Sequence, residues 1–103
     1  MTDENGDYLK TTQALTAEVA QALIARGWRL TTAESCTGGN LAAALCAQAD
    51  TAAFYDTGVV TFSDEAKRHV LQVREETLAV HSAVSEACVK EMSAGILEIA
   101  RAD

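Results

Sequence analysis

The amino-acid sequence predicts a single layered α/β domain. Its 103 residues are enough for one small domain and too few for two. Hydrophobic residues make up 49% of the chain and aromatic residues only 5%, so we expect a modest core of small aliphatic side chains. Segments with a helical hydrophobic repeat alternate with segments that lack it, in the order helix, strand, helix, strand and further helices. This alternation is typical of layered α/β folds.

The first helix is predicted from a repeat of apolar residues. Residues 1–10 begin polar and acidic and are expected to form a flexible leader. Over residues 12–26, apolar side chains recur every three or four positions, which predicts one buried helical face. That face comprises Leu15, Val19, Ala20, Leu23 and Ile24. Arg26 in the last turn and Gly27 directly after it are typical of a helix C-terminus.

Two strands and a helix are expected next. Trp28–Ala33 has no helical repeat, which favours a short strand. A Thr-Gly-Gly break at residues 37–39 precedes an alanine-rich helix over residues 41–49. Phe54–Phe62 ends in Gly-Val-Val-Thr-Phe and predicts a second strand. Two strands alone leave their backbone edges open, so we expect another chain or a further segment to pair with them.

The C-terminal half is expected to be helical. Ser63 is followed by two carboxylates, which suits a hydroxyl N-cap and an acidic first turn, and predicts a short helix to about residue 70. Another helix is expected to begin near residue 75. Ser85 is the predicted N-cap of the last helix, with a hydrophobic staple between Val84 and Val89. The expected buried face of that helix comprises Val89, Met92, Ile96 and Ile99.

The net charge of -7 argues against two classes of partner. An acidic surface repels phosphate backbones and anionic lipids, so neither nucleic-acid nor membrane binding is expected. Residues 1–7 lack the basic and apolar segments of a signal peptide, and no apolar run reaches the roughly 20 residues of a membrane span. We therefore expect a cytoplasmic protein. Cys36, Cys46 and Cys88 have no zinc or CxxC spacing and are expected to be reduced thiols in the core.

The segment between the first strand and the next helix is the candidate site. It would lie at the carboxyl edge of the sheet, where the first N–H groups of a helix suit a phosphate or an oxyanion. Gly38 and Gly39 would let a ligand approach the backbone closely. The alternative is structural, with Ser35 or Thr37 capping the helix and the glycines permitting a tight turn. The spacing matches neither the GxGxxG nor the GxxxxGK[ST] phosphate loop, so the residues alone leave both interpretations open.

Lys67 is the second candidate. If the short helix after the second strand meets the Ser35 turn, a lysine removed from water could act as general base towards the serine hydroxyl. The alternative is a solvated lysine that pairs with a neighbouring carboxylate. Cys36 is a rival nucleophile near a helix start, or else a buried structural thiol. His69 and His81 have no metal-ligand spacing and are expected at the surface or in packing.

Four blocks of the sequence resemble one known family. They are residues 32–39 (TAESCTGG), 58–67 (GVVTFSDEAK), 73–78 (VREETL) and 81–86 (HSAVSE). In this order they resemble the CinA C-terminal domain family, also described as nicotinamide-mononucleotide amidohydrolases, and the likeness runs from Thr12 to Asp103. The resemblance implies a three-layer α/β/α domain over residues 11–103, usually a homodimer. That domain would be incomplete on its C-terminal side, because the family domain continues with further strands and a glycine-rich loop.

The resemblance also implies an activity. The family hydrolyses the carboxamide of nicotinamide mononucleotide to nicotinate mononucleotide and ammonia, so the implied partner is a small pyridine nucleotide, with no metal or other cofactor. By motif position, Ser35 would be the nucleophile, and Lys67 would take its proton and later protonate the departing ammonia. The substrate-binding and oxyanion donors would be backbone N–H groups of Cys36, Thr37, Gly38 and Gly39.

Two positions depart from the family pattern. Phe62 stands where the family has a catalytic tyrosine, so that hydroxyl is absent, and Asp64 stands where the family has an asparagine. Loss of a proton-transfer group costs roughly 10²–10⁴ in rate. We therefore expect weak or absent amidohydrolase activity in this form. The alternative is a non-catalytic paralogue that uses the turn at residues 37–39 to bind a nucleotide or a protein.

Overall fold

Two parallel strands separate two groups of helices in the computed structural model, which describes residues 4–103. The elements in chain order are α1 (Glu4–Arg26), β1 (Leu30–Glu34), α2 (Asn40–Cys46), β2 (Tyr55–Val60), α3 (Asp64–Leu71), α4 (Glu75–His81) and α5 (Glu86–Ala100), with one 3₁₀ turn at Thr51–Ala53. The two strands pair with each other in parallel. The predicted α/β class and order of elements are confirmed, with small shifts at the element ends.

The two faces of the sheet carry separate hydrophobic clusters. Leu30 packs against a cluster supplied by α1, α2 and the start of β2, whose buried members are Ala20, Leu45, Phe54 and Tyr55. Ala33 and Val59, which are register partners, pack against a cluster supplied by α3, α5 and the chain between them. Its buried members are Leu71, Val73, Cys88, Met92 and Ile96. Because alternate strand residues point to opposite faces, helices cover the sheet on both sides and form three layers.

Close packing within the sheet requires Gly58. A Cβ atom at this position would lie 2.0 Å from the Tyr55 hydroxyl and 2.5 Å from Thr32 Oγ1. Those two oxygens share a buried hydrogen bond of 2.6 Å. A side chain at position 58 would therefore disrupt a buried polar pair that has been removed from water.

The first helix begins earlier than expected. Helix α1 starts at Glu4, so residues 4–10 of the expected flexible leader are helical; residues 1–3 lie outside the described part of the chain. The predicted C-terminal signals are confirmed. Gly27 has a positive φ of 66°, and the Trp28 N–H donates to the Leu23 carbonyl at 3.0 Å.

The predicted buried face of α1 is only partly right. The buried positions are Thr16 and Ala20, whereas Leu15, Val19 and Ile24 are exposed. Helix α1 packs mainly on α2, and Ala20 of α1 and Leu45 of α2 are buried in the same cluster. A hydrophobic repeat predicts that a helix is amphipathic, but the partner element decides which apolar stripe is covered.

Both serine N-caps in the C-terminal half are confirmed. Ser63 Oγ accepts from the N–H three residues later at 3.0 Å, and Ser85 Oγ does the same at 3.1 Å. Helix α5 buries Cys88, Met92 and Ile96, whereas Val89 and Ile99, which were also expected to be buried, are about half exposed. Val84 is 84% exposed, so the expected staple does not bury it. Among the described helices, none is both long and apolar enough to cross a bilayer.

Candidate active site

The carboxyl ends of the two strands bring Ser35 and Lys67 together. Strand β1 ends at Glu34 and β2 at Val60, and these residues are partners in the parallel ladder. The turn that carries Ser35 therefore begins beside the segment leading into α3, where the Thr61 N–H donates to the Glu34 carbonyl at 2.9 Å. Lys67 lies one turn into α3 and reaches back to this edge. Its Nζ is 2.9 Å from Ser35 Oγ.

The Lys67 amine is buried and held by three acceptors. The residue is 1% exposed. Besides Ser35 Oγ, Nζ donates to the Thr61 carbonyl at 2.8 Å and to the Phe62 carbonyl at 2.9 Å. These acceptors account for all three N–H bonds of an ammonium, and the solvated alternative for Lys67 is therefore wrong. In a neutral amine, two N–H bonds would stay on the carbonyls, and the lone pair would face the Ser35 hydroxyl.

The carboxylate of Glu34 occupies the start of α2, where an anionic ligand was expected. Glu34 is 5% exposed and accepts hydrogen bonds from Thr37 Oγ1 at 2.7 Å, the Leu41 N–H at 2.8 Å and the Ala42 N–H at 3.0 Å. Burial raises the pKa of Glu34, but these bonds and the nearby Gly39 amide outweigh burial and hold the pKa below its ordinary value. The expectation that the first amides of α2 face a ligand is wrong.

The turn itself retains two free amides. The Gly38 N–H donates to the Ser35 carbonyl at 3.0 Å, and the Gly39 amide faces the buried carboxylate. Gly39 has φ of 101°, a conformation that favours glycine. Two of the four amides predicted to bind substrate are thus engaged inside the turn. Within residues 4–103, the amides of Cys36 and Thr37 have no hydrogen-bond partner, so they are the donors left for a ligand.

A cleft of about 950 Å³ opens beside Ser35 and Lys67. Several exposed apolar side chains line it, namely Leu41, Phe62, Val84 and Val89. The Phe62 ring is 74% exposed, although its carbonyl holds Lys67. Lys67 is the one cationic side chain in the described lining, which also includes Glu34 and Glu86. In the described part of the chain, no group of three or more His, Cys, Asp or Glu side chains could hold a metal ion.

The other reactive residues lie differently from the expectation. Only Cys88 is buried, whereas Cys36 and Cys46 are exposed, which corrects the prediction of core cysteines. Burial raises the pKa of the Cys88 thiol. Cys36 lines the cleft, but the lysine contacts the neighbouring serine and not this thiol. His69 and His81 are exposed, as predicted, and neither lines the cleft.

Two site residues were missed by the sequence reasoning. Thr61 contributes only a backbone carbonyl to Lys67, and a backbone contact leaves no signal in the side chain. Glu34 left a usable signal, because an acidic residue three positions before Thr37 and six positions before the first residue of α2 can accept from both.

The sequence pattern of the CinA C-terminal domain matches residues 12–103. The chain belongs to the CinA C-terminal domain family. Two relatives from Escherichia coli (strain K12) are similar to it. It is 54% identical over 93 residues to Protein YdeJ, covering 90% of this chain and 54% of YdeJ. It is also 54% identical over 89 residues to the nicotinamide-nucleotide amidohydrolase PncC, covering 86% of this chain and 54% of PncC.

A solved structure from the same family has the same fold. The competence damage-inducible protein A (ComA) from Klebsiella pneumoniae subsp. pneumoniae MGH 78578 has 89% sequence identity and a TM-score of 0.89, covering 89% of this chain and 57% of that one. This CinA C-terminal domain chain spans about half the length of the curated relatives it matches. Its identity to YdeJ and to the amidohydrolase PncC is equal, at 54%.

Proposed function

We propose that this chain is a serine amidohydrolase that acts on the carboxamide of nicotinamide mononucleotide. The contact of 2.9 Å between Lys67 Nζ and Ser35 Oγ carries the proposal, because an activated hydroxyl needs a base within hydrogen-bond reach. The relatives named nicotinamide-nucleotide amidohydrolase support the substrate.

The reaction uses Lys67 as a proton carrier. Ser35 Oγ attacks the carboxamide carbon while its proton passes to the neutral Lys67 amine. The C–N bond then breaks while the proton passes from Lys67 to the departing nitrogen. Ammonia is released, and the acyl group remains on Ser35 as an ester. Water hydrolyses that ester with Lys67 again acting as base, which gives the carboxylate product. The carbonyls of Thr61 and Phe62 orient the amine throughout, because they hold its two other N–H bonds.

The amides of Cys36 and Thr37 are the proposed oxyanion donors. Charge develops on the carboxamide oxygen when Ser35 attacks, and fixed donors stabilise it without reorganising. These amides follow Ser35 directly in the chain and have no other partner among residues 4–103. We therefore narrow the expected donor set from residues 36–39 to these two.

The cleft suits the pyridine ring better than the phosphate. Its apolar wall, which includes the exposed Phe62 ring, offers a surface for a cationic pyridinium. Glu34 occupies the helix start that could otherwise hold a phosphate. The only cation in the described lining, Lys67, is already engaged. We infer that the ring is the part of the nucleotide held at this cleft.

Phe62 is the reason to propose weak turnover. Its carbonyl still orients Lys67, but its ring has no hydroxyl to relay a proton, and such a loss costs roughly 10²–10⁴ in rate. The second candidate function is a non-catalytic paralogue that binds a nucleotide or a protein at the same cleft. The phenylalanine favours that candidate.

One assay separates the two functions. Ammonia release and ligand binding are measured with nicotinamide mononucleotide for wild type, Ser35→Ala and Phe62→Tyr. Turnover that disappears in Ser35→Ala supports the enzyme. Binding without turnover, with turnover appearing in Phe62→Tyr, indicates a lost proton relay in an otherwise intact site. Absence of both binding and turnover in all three proteins contradicts both functions.

We also propose that the protein works as a cytoplasmic homodimer. In the described part of the chain each strand pairs only with the other, and apolar side chains of α1 are exposed. A second copy would cover such surfaces. Light scattering is expected to give twice the chain mass of 10.9 kDa, and a homogeneous monomer would contradict the dimer.

A further inference from the structure

The carboxylate of Glu34 links the two ends of the turn that carries Ser35. Glu34 is the last residue of β1, and its backbone carbonyl is fixed to β2 by the Thr61 N–H. Its buried side chain bonds the hydroxyl of Thr37 within the turn and the first amides of α2 beyond it. One side chain therefore connects strand, turn and helix immediately next to the proposed nucleophile.

Several backbone amides in the turn and at the start of α2 are already hydrogen-bonded. The Leu41 and Ala42 amides are taken by the carboxylate, and the Gly38 amide is taken by the Ser35 carbonyl. Without Glu34, the start of α2 would present unpaired donors beside the cleft, and the turn would lose its link to the helix. Such a change would alter both the place of Ser35 and the choice of donors for an anion.

We propose that Glu34 is a positioning residue for the reaction. Its carboxylate holds the turn in the conformation in which Ser35 Oγ is hydrogen-bonded to Lys67 Nζ. In that conformation the amides of Cys36 and Thr37 stay available to bind the oxyanion. This inference rests on the proposed function, because it assigns Glu34 to the same nucleophile. Glu34 acts through Ser35 and does not contact the reacting atoms.

The test measures the reactivity of Ser35 without requiring turnover. An alkyl fluorophosphonate reacts with activated serines, and the mass of the peptide containing Ser35 gives the labelling rate. We expect Glu34→Gln to label about 10–100-fold more slowly than wild type, because a misplacement near 1 Å can cost on the order of 10²-fold. In glutamine, an NH₂ group would replace the oxygen that now accepts a hydrogen bond from the Ala42 N–H, so two donors would face each other. The matched control is Glu18→Gln, which removes an exposed carboxylate of α1 outside the cleft and should label as wild type does.

A second pair of variants covers the case in which Glu34→Gln does not fold. Thr37→Val removes the hydroxyl that donates to Glu34, whereas Thr37→Ser keeps it. We expect several-fold slower labelling for the valine variant and recovery for the serine variant, at equal folded fractions measured by circular dichroism. A change in packing alone would not be reversed by restoring the hydroxyl.

The possible failures are distinguishable. If wild-type Ser35 does not react, the proposed function fails and this inference fails with it. If wild-type Ser35 reacts, and a folded Glu34→Gln or the Thr37→Val variant reacts equally fast, the inference alone is wrong. Slower labelling of Glu18→Gln to the same degree would also overturn it, because the effect would then come from the loss of one negative charge and not from the contacts of Glu34.

Discussion

Replacing Lys67 by methionine should remove catalysis and lower stability together. Methionine keeps the apolar stem and removes Nζ, so Ser35 loses its contact and the carbonyls of Thr61 and Phe62 lose their donor. A missing general base costs roughly 10²–10⁴ in rate, or about 3–5 kcal/mol in the barrier. Each carbonyl left without a donor costs about 1–3 kcal/mol. The desolvation cost of a buried amine offsets part of this, so we expect a net loss of about 1–3 kcal/mol.

The assay pairs urea unfolding with ammonia release. The matched control is Lys90→Met on α5, where the lysine side chain is 74% exposed and paired with Glu86 at 3.1 Å. An exposed pair of this kind contributes at most about 0.5 kcal/mol. Turnover is the deciding readout. A Lys67→Met protein that releases ammonia as fast as the Lys90→Met control would refute the assignment of Lys67 as the base.

Three further predictions concern packing, capping and pH. Gly95→Ala should destabilise the fold by about 1–3 kcal/mol, because the new Cβ atom would lie 2.1 Å from the Leu71 carbonyl oxygen. Urea unfolding measures this loss. Ser63→Ala should cost about 1 kcal/mol in the same measurement, because Ser63 Oγ accepts from the Ala66 N–H. The stabilisation from Glu34 should be full above the ordinary pKa of 4.5 and lost as pH falls through its lower folded-state pKa. The difference in unfolding free energy between wild type and Glu34→Gln should therefore shrink as the pH falls below about 4.5.

Each of these predictions has an outcome that contradicts it. A Gly95→Ala protein as stable as Ser93→Ala, an exposed position on the same helix, would mean that α3 and α5 do not approach as closely as described. An unchanged Ser63→Ala protein would remove the capping argument for α3. A constant difference between wild type and Glu34→Gln across the pH range would show that the Glu34 charge is not held by its hydrogen bonds.

Local signals predicted most of the fold. The caps at Ser63 and Ser85 were found because a hydroxyl beside a helix start acts within three residues of chain. Gly27 was found for the same reason at the end of α1. The exposed side of α1 could not be found this way, because the hydrophobic repeat does not say which apolar stripe meets α2. The extra turns at the start of that helix also depend on residues with no strong signal.

The site was predictable in its parts but not in its connections. The sequence identified Ser35 and Lys67 as candidates, but their contact depends on the parallel pairing of β1 with β2. The sequence also suggested that the start of α2 would receive an anion. The structure already supplies one from Glu34, and only the direction of that side chain, set by the tertiary fold, decides whether the amides are free.

The central claim is that Ser35 carries the acyl group during amide hydrolysis. Hydroxylamine intercepts such an ester and converts it into a hydroxamic acid of the pyridine nucleotide, which mass spectrometry detects. We expect the hydroxamate to form with wild type and nicotinamide mononucleotide, and to be absent with Ser35→Ala. Ammonia release that continues in Ser35→Ala, with hydroxamate at the same level as in wild type, would contradict the account.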